Sequence, residues 1–277
     1  MRAPFTIKQR LRSLFDWGLG VTRFFLRKNF RFLPITPPFL STQIFYDSYS
    51  RHMLRVKVRD RIDWITTVQV FYDNDYSFET LRRRDELQKY YDGLVSSGVT
   101  PLIIDCGGNI GLATKFFAET YPKAKIVCIE PDSANIAQAR INNSNGDVVF
   151  LEAAIGGSDS RGDIIDPGLG NNAFRVTDSG GGDLRIISMN TVLRDNALGN
   201  TGKFIAKIDI EGFEQDLFSK NTEWIDEFPL LIVELHDWLL PRAGTSLSFL
   251  REISKLDRDF VCLGENVFSI SNKIPAG

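Results

Sequence analysis

The residues best suited to chemistry begin where an apolar run meets a carboxylate and a knot of glycines. The run is Leu102-Ile103-Ile104-Asp105-Cys106-Gly107-Gly108-Asn109-Ile110-Gly111. Its β-branched half reads as a buried strand of a parallel sheet, and glycine supplies the positive φ needed to turn that strand into a helix. Leu112, Phe116, Phe117 and Tyr121 recur at helical spacing, so the turn opens a helix whose first N–H groups face a ligand. Roughly twenty residues further on, Ile126-Val127-Cys128-Ile129-Glu130-Pro131 ends a second apolar run on an acid. Nucleotide-binding α/β folds hold ribose hydroxyls with an acid at that place. A pyrophosphate fingerprint, G-x-G-x-x-G, does not fit. Counting from Gly107 meets Asn109 and Leu112, and counting from Gly108 meets Ile110 and Ala113. A nucleotide-type site without a dinucleotide is the reading, which disfavours a nicotinamide enzyme.

Two later apolar runs, residues 204–210 and 230–236, end on further reactive groups. Ligands of such sheets bind beyond the carboxyl ends of the strands, so Asp105, Glu130, Asp209 and His236 can share one crevice. An imidazole titrating near neutrality suits the removal of a proton from an alcohol, and it equally suits capping a strand end. Asp209 with Glu234 or Asp237 offers oxygens for Mg²⁺. Strand alternation tempers this by setting Glu234 and His236 on one face and Asp237 on the other, and no metal ligand is assigned. Glu211-Gly212 reads as the turn into a helix over 213–219. Trp238 reads as a ring for a sugar to stack on, or as a cover for the sheet end.

The order D-C-G-G-N-I-G, I-E-P, A-A-I-G, K-I-D-I-E-G-F-E and V-E-L-H resembles the FkbM family of methyltransferases, from about residue 64 to the C-terminus. The pairing Cys106-Gly108 departs from many relatives and leaves the turn geometry intact. The resemblance implies S-adenosylmethionine as cofactor, with Asp105 and the glycine turn on its amino-acid end. It implies cofactor contacts at Asp105, Gly107, Gly108, Asn109, Gly111, Glu130, Pro131, Ala154 and Asp209, and catalysis by His236 and Asp209. It further implies a class I methyltransferase fold, Rossmann-like, with a doubly wound, mostly parallel seven-stranded sheet and an antiparallel last strand. The acceptor it implies is a hydroxyl of a sugar, glycoconjugate or related natural product. A Mg-dependent methyltransferase and a non-catalytic nucleotide-binding module on the same fold are the competing readings.

The elements that must position these residues follow from patterning. Hydrophobic and charged fractions of 43% and 25% are those of an ordinary globular chain, and 277 residues can bury a sizeable core. The overall charge of −2 hides an asymmetry. Residues 1–33 hold eight basic side chains against Asp16 alone, interleaved with Phe5, Leu11, Leu14, Phe15, Trp17, Leu19, Phe24, Phe25 and Leu26. Asp16 and Arg23 interrupt the apolar core of this segment, so it is neither a signal peptide nor a spanning helix. A basic, aromatic, amphipathic helix suits an anionic membrane surface, packing on the acidic body, or a loose tail. Pro34, Pro37 and Pro38 read as a linker, and residues 43–46, 52–58 and 64–72 as strands of a small β region. Residues 78–94 read as a helix, 133–142 as a helix capped by Ser133, and 148–151 as the third core strand. The Gly-, Asp- and Asn-rich stretch 156–185 reads as a hairpin or lid. A last helix over 247–256 precedes a hairpin of 259–263 and 266–271. The domain expectation is therefore 1–40, 41–98 and 99–277. Cys106, Cys128 and Cys262 read as packed, reduced thiols, which points to a cytoplasmic protein, and no nucleic-acid partner is expected.

Overall fold

The computed structural model describes residues 7–26, 31–38, 40–144, 146–165, 175–177, 181–196, 199–238 and 241–274. The chain forms two compact units, Met1–Asp75 and Tyr76–Gly277. The first unit holds helix α1 (Ile7–Leu26), strands β1 (Phe32–Pro34), β2 (Thr42–Asp47) and β3 (His52–Lys57), and helix α2 (Arg61–Val68). Its strands pair antiparallel in the order β1-β2-β3. Two expectations fail here. Pro34 belongs to β1, opposite Phe45, and not to a linker; an edge strand tolerates a residue without an N–H. Residues 64–72 are helical, because the Asp60 carboxylate accepts from the N–H groups of Ile62 and Asp63 at 2.9 and 3.1 Å and starts α2. That helix runs on through a π-helical turn over Gln69–Asp73, stopped by Asn74 in the left-handed conformation. The β-branched residues that suggested a strand are overridden by this cap and by packing. Trp64, Phe71 and Tyr72 join Phe32 and Phe45 in a buried aromatic cluster. A second buried feature is the ion pair of Arg31 with Asp47, whose carboxyl lies below its usual range because Arg31 and nearby N–H groups outweigh the cost of burial.

The second unit contains helix α3 (Arg84–Ser96), β4 (Thr100–Cys106), α4 (Leu112–Thr120), β5 (Lys125–Glu130), α5 (Ser133–Asn142) and β6 (Val148–Glu152). It continues with β7 (Ala154–Gly156), β8 (Ser160–Ile165), β9 (Arg175–Thr177), β10 (Leu184–Ser188), α6 (Met189–Asn196) and β11 (Thr201–Ile208). Helix α7 (Glu214–Leu217), β12 (Leu230–Glu234), α8 (Leu247–Ile253), β13 (Arg258–Leu263) and β14 (Asn266–Ser271) complete it. The main sheet has the order β13-β14-β12-β11-β4-β5-β6, and only β14 runs antiparallel to its neighbours. Numbered along the chain, those seven strands lie 3-2-1-4-5-7-6. This is the doubly wound sheet expected, with the antiparallel last strand inserted between the fifth and sixth.

Buried Leu102, Ile104, Cys106, Val127, Ile129, Ala206, Ile208, Leu231 and Val233 pack one sheet face against Leu217, Trp224, Phe228 and Phe249. On β11, Phe204 meets Tyr91 of α3 and Tyr121 after α4. Several boundaries shift. The helix expected from residue 78 begins at Arg84, the helix at 133 is capped by Asp132 and not by Ser133, and the one expected over 213–219 shrinks to α7. Strand β11 ends at Ile208 and β12 at Glu234, which leaves Asp209 and His236 in the loops beyond. Within 156–185, β8 and β9 form the expected hairpin, part of a sheet ordered β7-β10-β8-β9; residues 166–174 and 178–180 lie outside those described. Cys106 and Cys128 are buried free thiols, whereas Cys262 is exposed, contrary to expectation.

Candidate active site

The carboxyl ends of β4, β5, β11 and β12 carry the candidate residues. After β4 the chain passes through Gly107 and Gly111 at φ of 78° and 77°, with Asn109 between them at 46°. These glycines are demanded by packing as much as by any ligand. A Cβ on Gly107 would lie 1.7 Å from the Asp209 carbonyl oxygen, and one on Gly108 would lie 2.3 Å from Cys128 Sγ. The turns after β4 and β11 are thus in direct contact. Lys207, near the end of β11, ties them together: its Nζ donates to Gly107 O at 2.8 Å and sits 3.1 Å from Asp105 Oδ1 and 3.4 Å from Asp209 Oδ2.

Asp105 is fully buried, and Thr114 Oγ1 of α4 donates to its other oxygen at 2.6 Å. Burial works against the Lys207 ammonium, yet Asp105, Tyr76 and Asp209 outweigh it and hold its pKa well above the ordinary lysine value. The sequence marked Asp105 but gave no role to Lys207. A lysine inside an apolar strand run was the available signal, since a buried ammonium requires a partner.

Glu130 ends β5 and is buried. Its Oε2 accepts from Asn109 N at 2.8 Å, and its Oε1 from Asp132 N at 3.0 Å and Asn135 Nδ2 at 3.3 Å. Burial pushes its pKa up to about 7 despite these three donors. Pro131 follows it and is partly exposed, and Ala154 is buried in β7.

Beyond β11 and β12 the acids gather around one imidazole. His236 is 1% exposed, and its Nδ1 lies 2.9 Å from Glu214 Oε1. Its Nε2 lies 3.6 Å from Asp209 Oδ1, 3.7 Å from Glu211 Oε2 and 3.6 Å from Glu234 Oε1. Burial opposes a charge on the ring, but Glu214, Asp209 and Glu211 prevail and raise its pKa to about 10. The carboxylates around the ring thus favour its charged form. Burial and the neighbouring Asp209 push Glu211 and Glu234 each up to about 8. Glu211 also stands at φ 57°, a rare conformation for a residue with a Cβ. Sequence reasoning drew attention to Glu211 beside Asp209, read it as a turn residue, and overlooked Glu214. The positive φ and the folded-back helix that bring them to His236 have no period-based signature.

The atoms left over suit a ligand rich in donors. Asn109 Oδ1 is buried without a hydrogen-bond partner among the described residues, and Glu130 Oε2 has a single N–H. Hydroxyls and an ammonium on a small ligand match such acceptors, and a positively charged ligand matches the surplus of acids. These residues fit S-adenosylmethionine.

No family model matches the chain. Among curated proteins it is 25% identical over 162 residues to the hexuronic acid methyltransferase AglP of Haloferax volcanii, a stretch covering 56% of this chain and 66% of that protein. The chain is thus a methyltransferase relative by sequence. Solved structures aligned with it include the bifunctional kinase-methyltransferase WbdD (TM-score 0.39, 13% identity, 73% of this chain and 42% of that one). A putative O-methyltransferase from Klebsiella pneumoniae aligns at TM-score 0.39 and 12% identity, over 68% of this chain and 80% of that one.

Proposed function

We propose that this chain is an FkbM-type methyltransferase that moves a methyl group from S-adenosylmethionine to a hydroxyl of a sugar or glycoconjugate. The observation that carries this reading is the meeting of the glycine turn, Glu130 and the Asp209–His236 pair at the carboxyl edge of a 3-2-1-4-5-7-6 sheet. Likeness to a hexuronic acid methyltransferase supports a saccharide acceptor. Residues 99–277 form the catalytic domain of this reading, with 1–40 and 41–98 as an N-terminal addition.

S-adenosylmethionine supplies a methyl on a sulfonium sulfur: the acceptor oxygen bonds to that carbon, and the carbon–sulfur bond breaks with its electron pair left on sulfur. The chain's residues do the rest by binding and positioning. Asp105 and the turn Gly107, Gly108, Asn109 and Gly111 take the amino-acid end; Glu130 takes the ribose hydroxyls, flanked by Pro131 and Ala154. Asp209 and His236 line the reacting centre. The acceptor's proton passes to the carboxylates gathered around His236, among them Asp209, whose Oδ1 lies 3.6 Å from Nε2.

Purified protein, S-adenosylmethionine and a panel of uronic acids and oligosaccharides test the proposal, with mass spectrometry seeking a product heavier by one methylene. Cofactor binding without any methylated product would leave a binding module. His236→Asn is expected to keep cofactor affinity and lower turnover about a hundredfold or more, while Asp209→Asn lowers cofactor affinity and turnover together.

A second reading rests on α1. Ile7, Leu11, Leu14, Phe15, Leu19, Phe25 and Leu26 form its apolar stripe and are exposed, Ile7 and Phe25 at 80% and 71%, whereas Ser13 and Gly20 are the residues it buries. An outward apolar stripe beside Lys8, Arg10 and Arg12 suits the surface of an anionic membrane. We read the protein as peripheral to the cytoplasmic face of a membrane; the free thiols support the reducing compartment. No helix among the described residues is long and apolar enough to cross a membrane.

A further inference from the structure

We infer that Asp209, Glu234 and His236 form a site for one divalent cation of the Mn²⁺ or Mg²⁺ class. Three observations converge. The ligand atoms of these residues all lie within 4.8 Å of one another, a span two ligands can have across an ion when each is about 2.0–2.4 Å from it. His236 is 1% exposed, and its Nε2 is aimed between Asp209, Glu211 and Glu234 at 3.6–3.7 Å, so it makes a hydrogen bond to none of them. Its other nitrogen is held by buried Glu214 at 2.9 Å, the carboxylate–histidine arrangement that fixes which ring nitrogen faces a metal. Charge agrees. Among the described residues, Asp105, Asp209, Glu211, Glu214 and Glu234 form ion pairs only with Lys207 and His236, and Lys207 is already spent on Asp105 and Gly107 O.

Two carboxylates and one imidazole suit Mn²⁺ or Mg²⁺ better than a thiolate-seeking ion, and fill about half of an octahedral sphere. The remaining positions take water or oxygens of the acceptor, whose hydroxyl proton such an ion loosens. The role in catalysis rests on the methyltransferase reading; the binding site itself does not. In this arrangement His236 binds as the neutral ring through Nε2, and Glu214 is a positioning residue.

Titration of the full chain with Mn²⁺ alone, followed by electron paramagnetic resonance, tests the site without cofactor or acceptor. One ion per chain is expected, weakened about tenfold to a hundredfold by Glu234→Gln and by Glu214→Gln. The chain has two histidines, so His52→Gln leaves His236 as the single imidazole. Its ring signals in the proton spectrum should broaden away at substoichiometric Mn²⁺, a readout that spares the site from mutation. Mn²⁺ that leaves the His236 signals sharp, or no bound Mn²⁺, overturns the site. Methyl transfer that persists in EDTA overturns the catalytic role while sparing the methyltransferase reading, and bound Mn²⁺ with no transfer to any acceptor does the reverse.

Discussion

Single residues here combine roles that are usually separate. Lys207 neutralises buried Asp105, anchors the glycine turn through Gly107 O, and reaches toward Asp209. Lys207→Met leaves Asp105 buried and unpaired, so a loss of about 3–5 kcal/mol is expected in denaturant unfolding. Glu130 makes a prediction in pH. Its carboxyl titrates near 7 in the fold against 4.5 when free, so the proton is held more tightly when folded. That contribution to stability is full below the free value and is lost as pH rises through about 7. Cofactor affinity should move oppositely, because the ionised form is the better acceptor for hydroxyls. Calorimetry should show S-adenosylmethionine binding tightening between about pH 6 and 8, with Glu130→Gln flattening the profile. Glu130→Ala should cost about 1.5–3 kcal/mol of affinity; an unchanged affinity in a folded variant would remove Glu130 from the site.

At the scale of elements, strand ends and helix starts decide where chemistry can occur. The turn after β4 tolerates no side chain at Gly107, since Asp209 O occupies the position of a Cβ. Gly107→Ala must displace the β11 turn, and loss of cofactor binding together with a lower melting temperature is the expected outcome. Helix α2 shows the opposite balance, local chemistry overriding propensity. Asp60→Ala removes two N–H acceptor contacts and should destabilise the chain by about 1 kcal/mol, read as a lower unfolding midpoint. The Asp60 and Asn74 caps were legible in the sequence as residue types, but residues 64–72 carry enough β-branched and aromatic side chains to read as a strand. Capping geometry settled what periodicity left ambiguous.

For the molecule as a whole, charge is segregated. Thirteen basic and six acidic residues fall in the unit that ends at Asp75, while the chain overall is net −2, so the larger unit is acidic. A basic segment with an exposed apolar stripe predicts binding to phosphatidylglycerol vesicles that weakens steeply with salt, each basic group near the surface contributing about 1 kcal/mol. Phe15→Asp should reduce that partitioning at least about tenfold without altering the fold, because Phe15 is 66% exposed. Equal partitioning of both forms in a sedimentation assay would leave α1 without a membrane role.

The sequence by itself determined the strands of the sheet, their near-parallel layout and the carboxyl-edge location of Asp105, Glu130, Asp209 and His236. Buried strands and sharp glycine turns are local patterns, and topology then forces their ends to one edge. Tertiary structure alone decided the partners of those residues. Lys207 finds Asp105 across two neighbouring strands, and Glu211, Glu214 and Glu234 reach His236 from a left-handed turn, a short helix and a separate strand end. The field around the imidazole is a sum over groups distant in the chain, and hydrophobic periodicity carries no information about such sums.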